Sequence, residues 1–222
     1  ALGNDFFIPM QNFLDNANYN PTPYSSFDIV ATEDGTRISI FPSNDVVGHQ
    51  AKNPFVIILN KGQTYSATAV SQSASKHLDG SRVSADKPIA ITIKDDLMFG
   101  APFGGGCADL GGDQLIPLTI LGSEYIAVRG FLNAPYDKVF ILATQNNPVV
   151  NVNQNPVAVL NAGETYVHNI GNNISAYIKA SLPVYALQMS GFGCEVGLSI
   201  LPPIFCTGSR TVAFTRSLNE PI

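Results

Sequence analysis

Apolar and polar residues alternate in short segments along most of the chain. Residues 27–32 place Phe, Ile and Ala on one face, and residues 36–41 repeat this pattern after the turn-forming pair Asp34-Gly35. Alternation of period two on both sides of an Asp-Gly pair predicts a β-hairpin. Residues 55–59 are instead continuously apolar, which predicts a strand that is buried on both faces.

No segment keeps apolar residues at the 3.6-residue spacing of an amphipathic helix over about 12 residues or more. Short apolar segments are separated by Gly, Pro, Asn and Asp at intervals of roughly 8–12 residues. Many short strands with regular turns are typical of sandwiches and barrels. The pattern therefore predicts an all-β fold.

Three sequence blocks occur twice in the same order, which indicates an internal duplication. The paired blocks are residues 27–32 with 139–144, 59–65 with 160–166, and 86–93 with 181–188. The second block is the most regular, because both copies contain Leu-Asn, Gly and Thr-Tyr at the same positions. We therefore expect two tandem, internally duplicated β-sandwich or jelly-roll-like lobes that pack together.

The duplication divides the chain into five predicted segments. They are an N-terminal strand and polar segment (1–26), a first β repeat (27–96), a Gly-rich linker with further strands (97–136), a second β repeat (137–190) and a Cys-containing segment that completes the sheets (191–222). Packing and turn formation explain the matched blocks. A specific site is therefore expected where the repeat breaks, in residues 100–117 or 193–209.

The chain carries few charges, and this narrows the classes of partner. Charged residues make up 13% of the 222 residues, and the formal net charge is −5. No basic stripe is present to attract nucleic-acid phosphates, and no Lys/Arg cluster is present to bind an anionic membrane surface. The longest aliphatic runs are much shorter than the roughly 20 residues of a membrane-spanning helix. We therefore expect no nucleic-acid partner, no membrane insertion and a weakly charged surface of the kind more common outside the cell.

Residues that support catalysis in other proteins show no recognisable arrangement here. His49, His77 and His168 lack a second ligand at metal-binding spacing and lie in polar segments, so we expect exposed histidines. No Gly-x-Ser-x-Gly motif is present, and no carboxylate pair stands out for glycoside hydrolysis. The six glycines in residues 100–112 do not form a phosphate loop, because Gly-Lys-Ser/Thr and a following helix are missing. A non-enzymatic function is therefore predicted.

Asp109, Asp113 and Gln114 are the candidate ligand-binding residues beside the Gly-rich segment. The carboxylates of Asp109 and Asp113, with Asp95 and Asp96 as further donors, are hard oxygen ligands of the kind that Ca²⁺ prefers. Their spacing matches no known calcium loop, and carboxylates that cap turns are the alternative. No other cofactor is expected.

The three cysteines have no Cys-x-x-Cys spacing, which argues against a zinc site. Cys194 and Cys206 flank the bend at Pro202-Pro203, so a Cys194–Cys206 disulfide is one hypothesis. Pairing of Cys107 with one of the other two is a second hypothesis, and buried free thiols are a third.

Several further motifs are distinctive. They are residues 80–89 (Gly-Ser-Arg-Val-Ser-Ala-Asp-Lys-Pro-Ile), residues 109–117 (Asp-Leu-Gly-Gly-Asp-Gln-Leu-Ile-Pro) and Gly193-Cys194-Glu195. Together they resemble the IgGFc-binding protein N-terminal domain family, and residues 4–7 (Asn-Asp-Phe-Phe) are similar to its opening Gly-x-Glu/Asp-Phe-Trp, with Phe in place of the tryptophan. Residues 193–209 look most like members from Bacteroidota-type bacterial surface proteins.

The resemblance implies a non-catalytic extracellular module of a secreted or surface-attached protein, with a binding or adhesive role. Its expected partner is a host or environmental glycoprotein or glycan. The alternative is a structural subunit that assembles with copies of itself into a filament, sheath or surface layer. An N-glycosylation sequon begins at Asn173, but such sequons often arise by chance. A glycan-active enzyme is the least favoured hypothesis.

Overall fold

The computed structural model describes residues 1–206, which form a nearly all-β protein. The strands are β1 (Gly3–Phe7), β2 (Ser25–Ala31), β3 (Thr36–Phe41), β4 (Phe55–Leu59), β5 (Thr64–Thr68), β6 (Arg82–Phe99), β7 (Ala108–Gln114), β8 (Glu124–Val128), β9 (Phe131–Leu132), β10 (Lys138–Ala143), β11 (Val149–Val152), β12 (Asn155–Val159), β13 (Thr165–Asn169), β14 (Ser175–Ala180), β15 (Val184–Gly193) and β16 (Glu195–Ile200). Short 3-10 helices lie at Ala74–Lys76, Ala101–Phe103, Leu118–Ile120 and Ile204–Cys206. The predicted all-β fold is confirmed, and none of the helices in residues 1–206 is suited by length and composition to cross a membrane.

Strands β1–β7 form one lobe, and β8–β16 form a second lobe with the same strand connections. The second lobe has one sheet in the order β12-β11-β14-β8 and another in the order β13-β10-β15-β16, to which the two-residue strand β9, without a counterpart in the first lobe, adds by pairing with β15. In the first lobe, the equivalent rows β4-β3-β6-β1 and β5-β2-β6-β7 share the 18-residue strand β6. The first half of β6 pairs with β1 and β3, and its second half pairs with β2 and β7. Two sandwich-like lobes, each with two facing four-stranded rows, are therefore present as predicted.

The third matched block lies where the chain passes from one row of strands to the other. In the first lobe this place is the middle of β6 at Pro88, because β3 pairs up to Ala85 and β2 pairs from Ile89 onward. In the second lobe, residues 181–183 end at Pro183 and separate β14 from β15. Proline has no N–H group to donate to a ladder, and each proline lies where one row gives way to the other.

Residues 32–35 connect strands of two different rows and β2 does not pair with β3, so the predicted hairpin is wrong. β2 pairs with β5 and β6, whereas β3 pairs with β4 and β6. Each strand has one apolar face, and Ile29 and Ile38 are both fully buried. Placing these faces opposite each other buries apolar surface that a flat two-stranded hairpin would leave exposed.

The second matched block forms an arch of the same kind beside the first. Residues 60–63 lead from β4 to β5, and the Lys61 N–H donates to the Asp34 carboxylate at 3.0 Å. In the second lobe, the Ala162 N–H donates to the Asn146 side chain at 2.9 Å. The duplicated sequence therefore encodes a pair of neighbouring arches joined by a side chain.

β4 is an edge strand that is buried on one face only, which overturns the prediction of burial on both faces. Val56 and Ile58 are 44% and 64% exposed. β4 lies at the end of its row and pairs only with β3 among the described strands. The equivalent strand β12 differs, because it carries Pro156 and pairs with β11 through an irregular register.

The lobes pack together through β10 and β15, which are buried on both faces. Val139 and Ile141 belong to the core of the second lobe, whereas Phe140 and Leu187 belong to the core of the first. A further buried cluster between the lobes consists of Phe7, Leu121, Leu142 and Tyr185. The continuous apolar sequence of β10 therefore reflects burial between two layers.

Candidate functional site

Two carboxylates of β7 hold β16 of the other lobe. Asp109 Oδ2 accepts a hydrogen bond of 2.8 Å from the Val196 N–H, and Asp113 Oδ2 accepts one of 2.8 Å from the Ile200 N–H. β7 and β16 run in the same direction at the edges of their sheets, and the two side chains bond to N–H groups along β16. We call this arrangement the Asp clasp (Asp109, Asp113, Val196 and Ile200). Its role is to join the lobes.

A disulfide joins the lobes beside the Asp clasp. Cys107 pairs with Cys194 across 87 residues of sequence, with a Cα–Cα distance of 5.6 Å. The predicted Cys194–Cys206 pairing is therefore wrong, and the pairing of Cys194 with Cys107 is the one adopted. The Pro202-Pro203 bend suggested the wrong partner, because the tertiary packing of the lobes brings the distant Cys107 to Cys194.

The glycines near this disulfide allow close approach. A Cβ atom at Gly105 would lie 2.3 Å from the Cys194 sulfur, and one at Gly100 would lie 2.7 Å from the Cys194 carbonyl oxygen. On β7, a Cβ atom at Gly112 would lie 2.5 Å from the Ile93 carbonyl oxygen. The Gly-rich sequence therefore serves the packing of the chain against itself.

The segment that follows the Gly-rich sequence contains a strand and a short helix. Residues 109–113 lie within strand β7, and residues 118–120 form a 3-10 helix. Asp113 and exposed Gln114 line a cavity of about 270 Å³ whose other walls are largely apolar, including Ile116 and Pro203. Asp109 does not belong to this cavity. Ligand binding by these three side chains stays a prediction.

Asp109 also lies against Glu195. The hydrogen bond and negative charge of Asp109 raise the pKa of the Glu195 carboxyl group. Among the described residues, one group of three metal-ligating types, Cys107, Cys194 and Glu195, has donor atoms within 4.8 Å of one another. Both sulfurs are in the disulfide and are not thiolates, so the group is not a metal site as it stands. Calcium binding by Asp109 and Asp113 remains a prediction.

His77 is 1% exposed, so the expectation of an exposed histidine is wrong at this position. Its Nδ1 lies 2.9 Å from the Gln11 carbonyl oxygen and 3.3 Å from Asp95 Oδ2. Gln11 and Asn16 donate to the Asp95 carboxylate at 2.6 Å and 2.7 Å. Burial raises the pKa of Asp95, and the neighbouring His77 opposes that rise. This closed network holds the N-terminal segment on β6 and has a structural role.

The outer face of β1, β6 and β3 carries an arrangement that the sequence did not suggest. The pairing of these strands aligns two rows across them: Phe7, Arg82 and Phe41 in one row, and Asp5, Ser84 and Ser39 in the next. The Arg82 guanidinium carbon lies 5.7 Å from the centre of the Phe7 ring. A terminal nitrogen of Arg82 lies 3.5 Å from the Asp5 carboxylate, and both of these side chains are about half exposed.

All residues of these rows except Asp5 line a cavity of about 490 Å³ at the junction of the lobes. Gly80 and Ala162 complete its lining, and Ala162 comes from the second lobe. Below it, a Cβ atom at Gly80 would lie 2.3 Å from the Gly163 carbonyl oxygen, so the lobes touch here through backbone. We call this feature the Arg82 cavity (Phe7, Ser39, Phe41, Gly80, Arg82, Ser84 and Ala162).

An exposed apolar patch lies on the second lobe. Phe131 and Phe192 are register neighbours on β9 and β15 and are 75% and 69% exposed. Ile174, which is 83% exposed, lines a cavity of about 200 Å³ together with Phe131 and Arg129. We call Phe131, Ile174 and Phe192 the Phe patch. The alternation pattern did not reveal it, because Phe and Ile are ordinary strand residues.

Comparison with known proteins identifies one protein family. The family described as IgGFc binding protein matches residues 1–219, nearly the whole chain. No curated protein and no solved structure shows detectable similarity to the chain. Domains of this family are binding modules rather than known enzymes and are typically extracellular, and the disulfide is consistent with that environment. The chain therefore belongs to the IgGFc binding protein family.

Proposed function

We propose that the chain is an adhesive binding module of a secreted or cell-surface protein, and that it binds an extracellular glycoprotein through the Phe patch. The observation that carries this proposal is the pairing of Phe131 with Phe192. Two neighbouring phenyl rings, each more than two-thirds exposed, cost free energy in water unless a partner covers them. Aromatic anchors of this kind supply much of the binding energy in protein interfaces.

The rest of the molecule supports a role as a rigid platform. The Asp clasp holds β16, the Cys107–Cys194 disulfide lies just after the C-terminal end of β15, and Phe192 lies two residues from Cys194. A rigid patch loses little conformational entropy on binding. The net charge of −5 gives no general attraction to anionic surfaces, so apolar contact carries the interaction. The resemblance of residues 193–209 to Bacteroidota-type surface proteins suggests a bacterial surface as the setting.

The test is a binding screen with the full chain immobilised on a biosensor. The panel contains immunoglobulin G, a mucin and serum glycoproteins, each intact and after enzymatic removal of its glycans. We expect at least one glycoprotein to bind and the double variant Phe131→Ser/Phe192→Ser to lose that binding. A matched control, Val56→Ser/Ile58→Ser, removes two exposed apolar side chains from β4 and is expected to bind normally. Binding that is unaffected by the Phe patch variant would overturn the proposed surface.

Self-assembly is the second candidate function, and the edge strand β4 favours it. Within residues 1–206, the outer edge of β4 has no paired strand, and Val56 and Ile58 are exposed beside inward-facing Phe55 and Ile57. No proline, lysine or bulge protects this edge, whereas β12 has Pro156. An unprotected apolar edge is suited to pairing with a strand of another copy.

Sedimentation velocity over a range of protein concentrations tests this second function. Assembly through β4 predicts oligomers that Ile58→Lys abolishes and that the Phe131→Ser/Phe192→Ser variant retains. A strictly monomeric chain at all concentrations would count against assembly. The two sets of variants therefore separate adhesion from self-assembly.

A further inference from the structure

We propose that the Arg82 cavity binds a sugar that carries a carboxylate or a sulfate group. The proposal rests on the proposed glycoprotein-binding function and adds the chemical class of the glycan and the residues that recognise it. Cavities at the junction of two lobes are frequent ligand sites because two elements contribute walls.

Arg82 supplies the positive charge. Within residues 1–206, its guanidinium makes one hydrogen bond, the 3.5 Å contact with Asp5, so most of its five N–H groups are free to bind a ligand. A half-exposed ion pair at this distance contributes little to stability, so Arg82 can exchange Asp5 for a ligand anion at low cost. A carboxylate or sulfate accepts two parallel hydrogen bonds from guanidinium, and a neutral group does not match that geometry.

The neighbours of Arg82 suit a sugar ring. Phe41, which is 43% exposed, lies beside Arg82 and offers an apolar surface to the C–H face of a pyranose. In the next row, the half-buried hydroxyl groups of Ser39 and Ser84 make no hydrogen bond within the described residues. They are therefore available to sugar hydroxyl groups. A charge, a ring face and two hydroxyl groups in one cavity of about 490 Å³ correspond to an acidic monosaccharide unit.

The negative charge of Asp5 distinguishes binding of an anionic sugar by Arg82 from a purely structural role of the Arg82–Asp5 ion pair. Its carboxylate lies beside the guanidinium and repels an incoming anion, while it favours a cation or a hydroxyl donor. Asp5→Asn is therefore expected to strengthen binding of an acidic sugar. It is not expected to strengthen binding of a neutral sugar.

The experiment is an NMR titration of the isotope-labelled full chain with glucuronate, glucose 6-sulfate and glucose. We expect one or both acidic sugars to shift the amide signals of Ser39, Phe41, Arg82 and Ser84, and we expect glucose to leave them unchanged. Arg82→Gln should weaken the acidic sugars roughly tenfold to a hundredfold, because a hydrogen-bonded charge pair is lost. Arg37→Gln is the matched control, since it removes an exposed charge from β3 outside the cavity.

The response to each sugar separates the outcomes. Binding by glucuronate alone assigns the site to carboxylates, and binding by glucose 6-sulfate alone assigns it to sulfates. Equal binding of glucose, unchanged affinity in Arg82→Gln, weaker acidic binding in Asp5→Asn, or no binding at all would overturn the proposal. Amide spectra of each variant verify folding. Glycoprotein binding through the Phe patch is measured separately, so loss of the sugar site and loss of the adhesive function are distinguishable.

Discussion

The Thr32 hydroxyl donates a hydrogen bond of 2.5 Å to the carbonyl oxygen of Pro88. The equivalent Thr144 hydroxyl donates one of 2.9 Å to Pro183 in the second lobe. Each threonine follows the strand that leads into the first arch, and each proline marks the change from one row to the other. The same bond therefore fastens the arch to the bend in both copies, which explains why these residues belong to the matched blocks.

Removal of this bond should destabilise the protein slightly. Thr144→Val keeps the shape of the side chain and leaves the Pro183 carbonyl without its donor, so we expect a loss of about 1 kcal/mol in the free energy of unfolding. Urea unfolding followed by circular dichroism measures the effect. The exposed Thr22→Val is the control, and an equal loss in both variants would contradict a specific role for the bond.

The disulfide should contribute more than any single hydrogen bond. The double variant Cys107→Ser/Cys194→Ser is expected to lose about 2–4 kcal/mol, because the crosslink closes a loop of 87 residues in the unfolded chain. Reduced and oxidised wild-type protein should show the same difference in thermal unfolding. Peptide mapping without reduction should recover a Cys107–Cys194 peptide, and a Cys194–Cys206 peptide would contradict the assignment.

The Asp clasp should also matter for stability. Asp113→Ala leaves the Ile200 N–H without an acceptor at a partly buried position, and we expect a cost of about 1–3 kcal/mol. Asp86 makes the same kind of bond to the Arg37 N–H but is solvent exposed and lies within one lobe. Asp86→Ala should therefore cost less. Chemical unfolding of both variants checks this order, and a reversed order would refute the importance of the clasp.

The close backbone contact between Gly80 and Gly163 should contribute to the stability of the protein, because it lets the lobes pack together. Gly80 and Gly62 have the same φ of 79°, but only a Cβ atom at Gly80 would meet another group, 2.3 Å away. Both alanine variants carry the cost of a left-handed residue, about 1 kcal/mol. Gly80→Ala should be destabilised further because it pushes the lobes apart. The difference between the thermal unfolding midpoints of the two variants measures the effect of the contact between the lobes. Equal midpoints would contradict the need for this close approach.

Stability should depend on the ionisation of Asp79. Burial raises the pKa of its carboxyl group from 3.8 to about 7, against the hydrogen bond from the Met10 N–H. The folded protein therefore holds a proton that the unfolded chain releases, so the stabilisation is complete below pH 3.8 and is lost as the pH rises through about 7.

Asp79→Asn provides the measurement for this pH effect. The amide stays neutral at every pH and keeps an acceptor for Met10. We expect the stability of the wild type relative to Asp79→Asn to fall between about pH 4 and pH 8. Glu33→Gln, an exposed substitution, should show no such trend. A relative stability that rises with pH would contradict the burial of the Asp79 carboxyl group in its uncharged form.

The candidate sites could not be predicted from the sequence, because each depends on residues that are distant along the chain. The Arg82 cavity depends on strand register, since Arg82 meets Phe7 and Phe41 only after three strands separated by many residues pair side by side. The Phe patch likewise depends on the parallel pairing of β9 with β15. His77 lies in a polar stretch of sequence and is nevertheless buried, because Gln11 and Asp95 supply its partners from distant segments. Local pattern carries no information on such partners.

The sequence by itself determined the all-β fold, the duplication and the family, because alternation, turn residues and matched blocks are local properties of the chain. Only the tertiary structure decided which strands pair, so the Asp34-Gly35 turn became an arch between two rows of strands and β4 became an exposed edge. It also decided that Cys107 pairs with Cys194 and that Asp109 and Asp113 join the lobes. The physical reason is the burial of two apolar faces of β10 and β15, which brings together residues far apart in sequence.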